Sequence, residues 1–478
     1  MIILKENAMK KRYLSLLVVG GIILYLLFVL LPYRKQGEAS QATKDSFRLS
    51  DFTSETKSGE RAALLCSNAE ALTERLRLIH NAKEHILLST FDFQADNSGK
   101  LMLSALRQAA MRGVEVSVLI DGFSYLHAVL GSKEYFTALG SLPQAEIRVY
   151  NLPDLFAPTK AMARLHDKYL LVDDTAYLLG GRNTYDYFLG DDTDYQNYDW
   201  DILIYQETAL AGSSLSELSD YFHTVWSDAD CTTVCDSVSP MARKKTAAAA
   251  LTLDTLYARL QSEHDDWLSS VDYKGITVPV NQIRLLTNPV SSTVKEPVLF
   301  YQMTELMRQS GEPVSFHTPY LLCNDYMEER LRQICQEVPS VTMMTNSVAN
   351  NGNPFGAADY LLHKPELLDT GLTILEYDSG VSYHGKCFTI GDRLSAIGSF
   401  NWDMRSAYID TEIMLVADST ELNHKMKEAM AQYEADALLV TGSSYALKKE
   451  QLPSALSGKK KLRLILLRPI IRLFRYLM

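Results

Sequence analysis

His166-Asp167-Lys168-Tyr169-Leu170-Leu171-Val172-Asp173, followed by Gly180-Gly181-Arg182-Asn183, occurs a second time in altered form. The second copy is His384-Gly385-Lys386-Cys387-Phe388-Thr389-Ile390-Gly391, followed by Gly398-Ser399-Phe400-Asn401. In each copy a lysine stands two residues after a histidine, and a glycine and an asparagine follow that histidine by 14 and 17 residues. The apolar run after each lysine is strand-like and ends in a polar turn. Residues i and i+2 of a strand share one face, so each histidine and its lysine are expected to project together. The returning strand then brings the asparagine beside them. Two such halves facing each other would set two imidazoles, two ammonium groups and two amides around one small anion. Such a set suits a phosphodiester without a metal ion, since one imidazole can act as nucleophile and the other as acid and base. Lys168, Lys386, Asn183, Asn401 and Ser399 are expected to hold the phosphoryl oxygens, where charge builds in the transition state.

Outward from the motifs, the chain reads as a tandem repeat. The first half offers a strand at 85–93, a helix with Met102, Leu106 and Ala109 on one face, and strands at 114–120 and 146–150. The second half repeats the order. A strand at 313–320 is followed by a helix with Met327, Leu331 and Ile334 on one face, then strands at 341–344 and 372–377. Alternating helix and strand periods predict an α/β sandwich in each half, with a mixed or largely parallel sheet. The alanine-rich stretch from Lys244 and the polar residues after it mark a helical connector.

The duplicated pattern resembles the hallmark of the phospholipase D superfamily, His-x-Lys-x4-Asp-x6-Gly-Ser/Gly-x-Asn. The first copy matches throughout, with Asp173 as the motif aspartate. The second has Gly391 in that place, with Asp392 after it. Asn401-Trp402-Asp403-Met404-Arg405-Ser406, ending in Thr411-Glu412, looks like the bacterial cardiolipin synthases of that superfamily. The resemblance covers roughly residues 60 to 478. It implies two similar α/β sandwich lobes packed with pseudo-twofold symmetry, and a covalent phosphohistidine intermediate. By that precedent His166 is the nucleophile, and His384 protonates the leaving group and later deprotonates the acceptor. The catalytic set is then His166, Lys168, Asp173, His384 and Lys386, with Asp173 expected to brace the turn after its strand. Glu412 and Asp201 are the candidate carboxylates that fix the imidazole tautomers, with Asp199 competing for the place of Asp201. The implied activity moves a phosphatidyl group between phosphatidylglycerol molecules and releases glycerol. The alternatives are a phospholipase D-type hydrolase or nuclease, or a catalytically silent lipid-binding membrane protein.

Composition bounds these readings. The chain has 478 residues, 47% hydrophobic and 22% charged, which is ordinary for a globular protein of two or three domains. A net charge of −11 argues against a nucleic-acid partner. Tyr13 to Leu31 is a run of 19 uncharged residues between Lys10-Lys11-Arg12 and Arg34-Lys35, long enough for one membrane crossing. The bacterial cardiolipin synthases typically carry two such segments. Basic residues on both flanks leave the orientation in the cell membrane open, with a slight lean to a cytoplasmic N-terminus. From Lys459 to Met478 there are seven basic residues and no acidic ones, on an amphipathic pattern that suits either an anionic lipid surface or a terminal helix docked on the catalytic domain. The six cysteines lack zinc-site spacing, and Cys231 and Cys235 are either free thiols or a local disulfide. Asp191-Asp192-Thr193-Asp194 lacks the spacing of a calcium loop, and no metal or cofactor is expected. The boundaries expected are an anchor at 1–35, a linker at 36–60, lobes at 61–230 and 281–440, a connector at 231–280 and a basic tail at 441–478. Nothing in the pattern sets an oligomeric state.

Overall fold

The computed structural model describes residues 2–191, 193–448 and 451–478, with side chains from residue 13 onward. The Lys10-Lys11-Arg12 side chains and Asp192 lie outside the described residues. Two nine-stranded sheets dominate. From edge to edge the first runs Val278–Pro279, Glu60–Leu65, Asp201–Gln206, Ala176–Gly180, Tyr169–Val172, His85–Thr90, Glu115–Asp121, Ala145–Tyr150 and Cys231–Val234. The second runs Gln282–Thr287, Ile413–Asp418, Leu394–Gly398, Cys387–Ile390, Val314–His317, Val341–Asn346, Thr373–Tyr377, Ala437–Thr441 and Ser444–Ala446. Apart from one short edge strand in each, the two orders are the same, so the sequence repeat is a repeat of topology.

Within the two nine-stranded sheets, parallel pairing is confined to the three strands Val314–His317, Val341–Asn346 and Thr373–Tyr377 and their first-lobe counterparts. The sheets are therefore mixed rather than largely parallel. The cause is local: each motif strand turns straight back through a tight turn into its neighbour, which forces antiparallel pairing, whereas parallel pairing needs a crossover. The crossover helices form where the apolar spacing predicts them. Asn97–Met111 starts on the Asp96 side chain, which accepts from Gly99 N, and buries Met102, Leu106 and Ala109. Asp325–Glu337 starts on Asn324 and buries Met327, Leu331 and Ile334.

Strand residues alternate between two cores. Leu170 and Val172 join the outer helices of the first lobe, while Tyr169 and Leu171 face inward. The inner core is shared by both lobes. Leu218 and Phe222 of helix Ser214–Trp226 and Leu422 and Met426 of helix Thr420–Ala435 lie in it, together with Tyr169, Leu171 and Leu415.

The expected boundaries need correction at two places. Residues 231–280 are not a separate connector: Cys231–Val234 and Val278–Pro279 are the two edges of the first sheet, and helix Arg243–Glu263 buries Leu253, Tyr257 and Leu260 in that lobe's outer core. The basic tail expected at 441–478 begins inside the second lobe, where Ser444–Ala446 closes the sheet, and its helix Gly458–Phe474 docks on helix Pro354–Asp369 with Leu464 and Ile471 buried. Cys231 and Cys235 are free thiols. At the other end, helix Ile2–Leu30 leads into a short 3-10 turn, and Tyr13–Arg34 is long and apolar enough to cross a membrane, with mean hydropathy 2.9. Tyr33 at its foot is fully buried. Its hydroxyl donates to Thr159 O (2.7 Å) and accepts from Met162 N (3.2 Å), a few residues before His166.

Candidate active site

The two motifs meet where the lobes exchange backbone pairing. Leu165 bridges Thr411 in parallel, and Ser382-Tyr383 pairs with Asn197-Tyr198 in parallel. His166 N donates to Thr411 Oγ1 (3.0 Å), and His384 N donates to Tyr198 O (2.6 Å). Each histidine therefore leaves its own lobe anchored on the other.

The carboxylates cross in the same way. Glu412 Oε1, from the second lobe, lies 2.8 Å from His166 Nδ1. Asp199 Oδ2, from the first lobe, lies 2.6 Å from His384 Nδ1. Lys386 Nζ also sits 2.6 Å from His384 Nδ1, but a carboxylate can only accept, so the Nδ1 proton points to Asp199. In both cases Nδ1 is occupied, and His166 Nε2 has no hydrogen-bond partner among the described residues.

Asp201 does not take the orienting place expected for it. Its Oδ2 is buried against Arg75 (2.7 Å) and Arg182 (3.2 Å). The backbone gives the true correspondence: Gly181 N donates to Trp200 O as Ser399 N donates to Ile413 O, which aligns Asp199 with Glu412. The second residue of each glycine pair matches its carboxylate. A Cβ at Gly181 would lie 2.3 Å from Asp199 Oδ1, so glycine makes room for the aspartate. In the second lobe the Ser399 hydroxyl instead donates to Glu412 Oε2, and Ser406 Oγ donates to Oε1 (2.6 Å). Ser399 is thus a fully buried brace for Glu412, not the phosphate ligand expected of it.

Asp173 sits outside the reacting centre. Its carboxylate accepts from the backbone N–H groups of Lys83, Glu84 and His85. It therefore belongs to the scaffold and not to the catalytic set in which it was placed. Asp173 and Gly391 share a left-handed backbone, each with φ of 49°, a conformation open to glycine and tolerated by aspartate. Their backbone bonds match too: Asp173 N donates to His85 O and Gly391 N to Pro313 O, both at 2.9 Å. Pro313, however, has no N–H to offer, and Glu312 N is held by Ser310 Oγ (3.2 Å). The second lobe lacks the donors that Asp173 serves, so glycine suffices there.

Lys168 and Lys386 are both buried, each bonded to the carbonyl of its own histidine. Burial lowers both, Lys168 to about 7. Burial and Lys168 push His166 well below the usual imidazole range, and burial and Lys386 hold His384 down to about 4. Burial opposes ionisation of Asp199, but Lys386, His384 and Arg182 outweigh it and hold the carboxyl down to about 2. Burial drives Glu412 up to about 8 against Lys168 and the two serine hydroxyls. Three donors converge on its two oxygens, the pattern of an acceptor-only carboxylate, so we assign it the ionised form. The resting site thus holds two neutral imidazoles, each fixed by a carboxylate.

Asn183 and Asn401 stand at equivalent places after strands Ala176–Gly180 and Leu394–Gly398, each with a buried Oδ1 lacking a partner among the described residues. Phe91 edges onto His166 (5.4 Å between ring centres), and Phe188 onto His384 (4.9 Å). Sequence reasoning missed these rings and Tyr320, whose hydroxyl accepts from Asn401 Nδ2 (3.2 Å). It missed Lys295 as well, buried beside Glu412 and Asp167, with burial lowering its ammonium to about 8. None carries a local signal, because each is brought in from a separate segment. Among the described residues no group of three or more His, Cys, Asp or Glu is arranged to hold a metal ion.

Comparison with known proteins agrees with this geometry. Residues 76–226 and 303–433 match the family described as cardiolipin synthase, PLD-like domain. Cardiolipin synthase C of Escherichia coli (strain K12) is 24% identical over 412 residues, covering 77% of this chain and 83% of that protein. Cardiolipin synthase 1 of Staphylococcus epidermidis is 22% identical over 375 residues, covering 77% of this chain and 66% of that protein. The crystal structure of phosphatidylserine synthase from Haemophilus influenzae Rd KW20 superposes with a TM-score of 0.62 at 16% identity, covering 87% of this chain and 94% of the other, a likeness of fold.

Proposed function

This chain belongs to the cardiolipin synthase, PLD-like domain family and is an enzyme of the phospholipase D superfamily, and on that premise we propose that it is a membrane-anchored phosphatidyltransferase. It moves the phosphatidyl group of one phosphatidylglycerol to the free hydroxyl of another and releases glycerol. The reading rests on one observation above all: each imidazole has its Nδ1 held by a carboxylate from the opposite lobe, which leaves Nε2 as the reacting nitrogen of each, unpartnered on His166 and 3.4 Å from Lys386 Nζ on His384.

In the first step His166 Nε2 attacks phosphorus. The P–N bond forms, the P–O bond to the glycerol leaving group breaks, and His384 gives that oxygen its proton. In the second step His384 takes the proton of the acceptor hydroxyl, whose oxygen attacks phosphorus as the P–N bond breaks. Lys168, Lys386, Asn183 and Asn401 hold the non-bridging oxygens. His384 must carry a proton for the first step, and burial opposes that in the free enzyme, as does repulsion from Lys386. A phosphodiester anion between the two lysines offsets this repulsion, so the acid is charged when substrate arrives. The apolar helix ending at Tyr33 keeps the site at the lipid surface.

The test is one assay. Purified full-length protein in detergent micelles is given phosphatidylglycerol with EDTA present, and the products are separated by thin-layer chromatography. We expect cardiolipin and free glycerol at a rate that EDTA leaves nearly unchanged. Phosphatidic acid as the sole product would make the enzyme a hydrolase, and a rate restored only by magnesium would contradict the two-lysine mechanism.

A further inference from the structure

Beneath the C-terminal half of helix Gly458–Phe474 lies a cavity of about 340 Å³. Its apolar wall is made by Leu322, Phe355, Ile470, Phe474 and Leu477. Its inner end is polar and catalytic in position: Tyr320 lines it, and the Tyr320 hydroxyl accepts from Asn401 of the second motif. Asp403 and Arg405, from the turn just after that motif, complete this end. The cavity is thus lined by both apolar and polar side chains, one of them bonded to the second motif, over a volume at the lower end of that of ligand sites.

The outer end faces a surface that suits lipid. The helix above it docks through Leu464 and Ile471 but leaves Leu462, Leu466 and Leu473 59–68% exposed. Its charged side chains are all basic, against a net charge of −11 for the chain. The same segment is fastened to the foot of the N-terminal apolar helix. Gln36 Nε2 donates to Tyr476 O (2.7 Å), and Arg34 lies over the Tyr476 ring (5.7 Å). Arg405 N donates to Met478 O (3.1 Å), tying the segment to the second motif as well. An apolar, basic surface beside a membrane-crossing helix is where anionic phospholipid concentrates.

We propose that this cavity is an acyl-chain subsite, taking one chain of the phosphatidyl substrate from the bilayer while its phosphodiester lies between the two histidines. The proposal rests on the phosphatidyltransferase reading and extends it to the tail of the substrate. A second protein copy or a soluble ligand has less to recommend it, because the cavity lies under a basic helix whose end is tied to the foot of the anchor, and its lining includes the partner of the motif asparagine. Chain burial here makes long-chain lipid a better substrate than its short-chain analogue, since each buried methylene contributes about fourfold in affinity.

The test uses full-length protein in mixed micelles with dioleoyl and dihexanoyl phosphatidylglycerol. Ile470→Trp and Phe355→Trp fill the cavity from positions 43% and 40% exposed, so neither disturbs the folded core. Leu462→Trp, on the same helix but away from the cavity, controls for added surface bulk. We expect the dioleoyl-over-dihexanoyl ratio of kcat/KM to fall roughly tenfold in both filling variants and to hold in the control. An unchanged ratio, or equal loss on both lipids, overturns the subsite. If the wild type makes cardiolipin from neither lipid, the transferase reading fails on its own, and the cavity is then judged by titration with a dansyl-labelled fatty acid. Saturable binding weakened by Ile470→Trp but not by Leu462→Trp supports the subsite, and equal binding to all three proteins overturns it.

Discussion

Asp199 and Glu412 reach their histidines from opposite lobes with side chains that differ by one methylene, and the residues behind them adjust: Gly181 gives way to the shorter acid, and Ser399 grips the longer one. Asp201, two residues from Asp199, is spent on Arg75 and Arg182 instead. The two aspartates therefore fail differently when neutralised. Asp199→Asn keeps the shape but removes the charge that holds the Nδ1 proton of His384, so kcat is expected to fall about 10²–10⁴-fold while the protein stays folded. Asp201→Asn breaks a buried ion pair, at a cost of about 3–5 kcal/mol, so it lowers Tm and leaves the folded fraction active. Paired measurements of Tm and kcat separate the two. The reverse pattern would return Asp201 to the orienting role.

At the level of elements, much was legible. The strand after each lysine, the crossover helices with their buried faces, and the repeat order all follow from local spacing. What was not legible depends on partners distant in sequence. Helix Arg243–Glu263 reads as polar because only one narrow stripe of it is buried, yet that stripe joins it to the first lobe. The choice of Asp199 over Asp201 likewise needs the position of the other lobe. The departure at Gly391 reads as tolerable, but its reason is visible only once Pro313 is placed beside it: the proline removes a donor, and the aspartate loses its purpose. It follows that Asp173→Ala, which strands three backbone N–H groups, should destabilise by about 1–3 kcal/mol. Gly391→Asp should bring no matching gain, since its Cβ would press on Glu312 Cγ at 3.1 Å. Thermal unfolding of both variants measures this, and a rise in Tm for Gly391→Asp equal to the fall for Asp173→Ala would refute the account.

At the level of the whole molecule, the lobes are not two domains joined by a linker. Their inner faces build one buried core, with Leu171 and Phe222 from one side and Leu415 and Met426 from the other. Exposing either lobe alone would uncover that surface and strand the crossed carboxylates. Calorimetry of the full chain in detergent should therefore give a single unfolding transition, and two resolved transitions would show that the lobes are independent. The crossing of the carboxylates also bears on descent. A half-length ancestor with one histidine motif and one acid could not have completed a site by itself, because its acid would point away from its own histidine. Two copies related by a twofold axis would have completed two equivalent halves at once, each lending the other its carboxylate. Fusion of such a pair into one chain frees the halves to drift apart, as Gly181 with Asp199 and Ser399 with Glu412 have done, provided that each change of acid is answered by the residue behind it. Substitutions at these positions should thus be inherited in pairs within one half of the gene, Gly181 with Asp199 and Ser399 with Glu412, while each acid goes on serving the histidine of the other half.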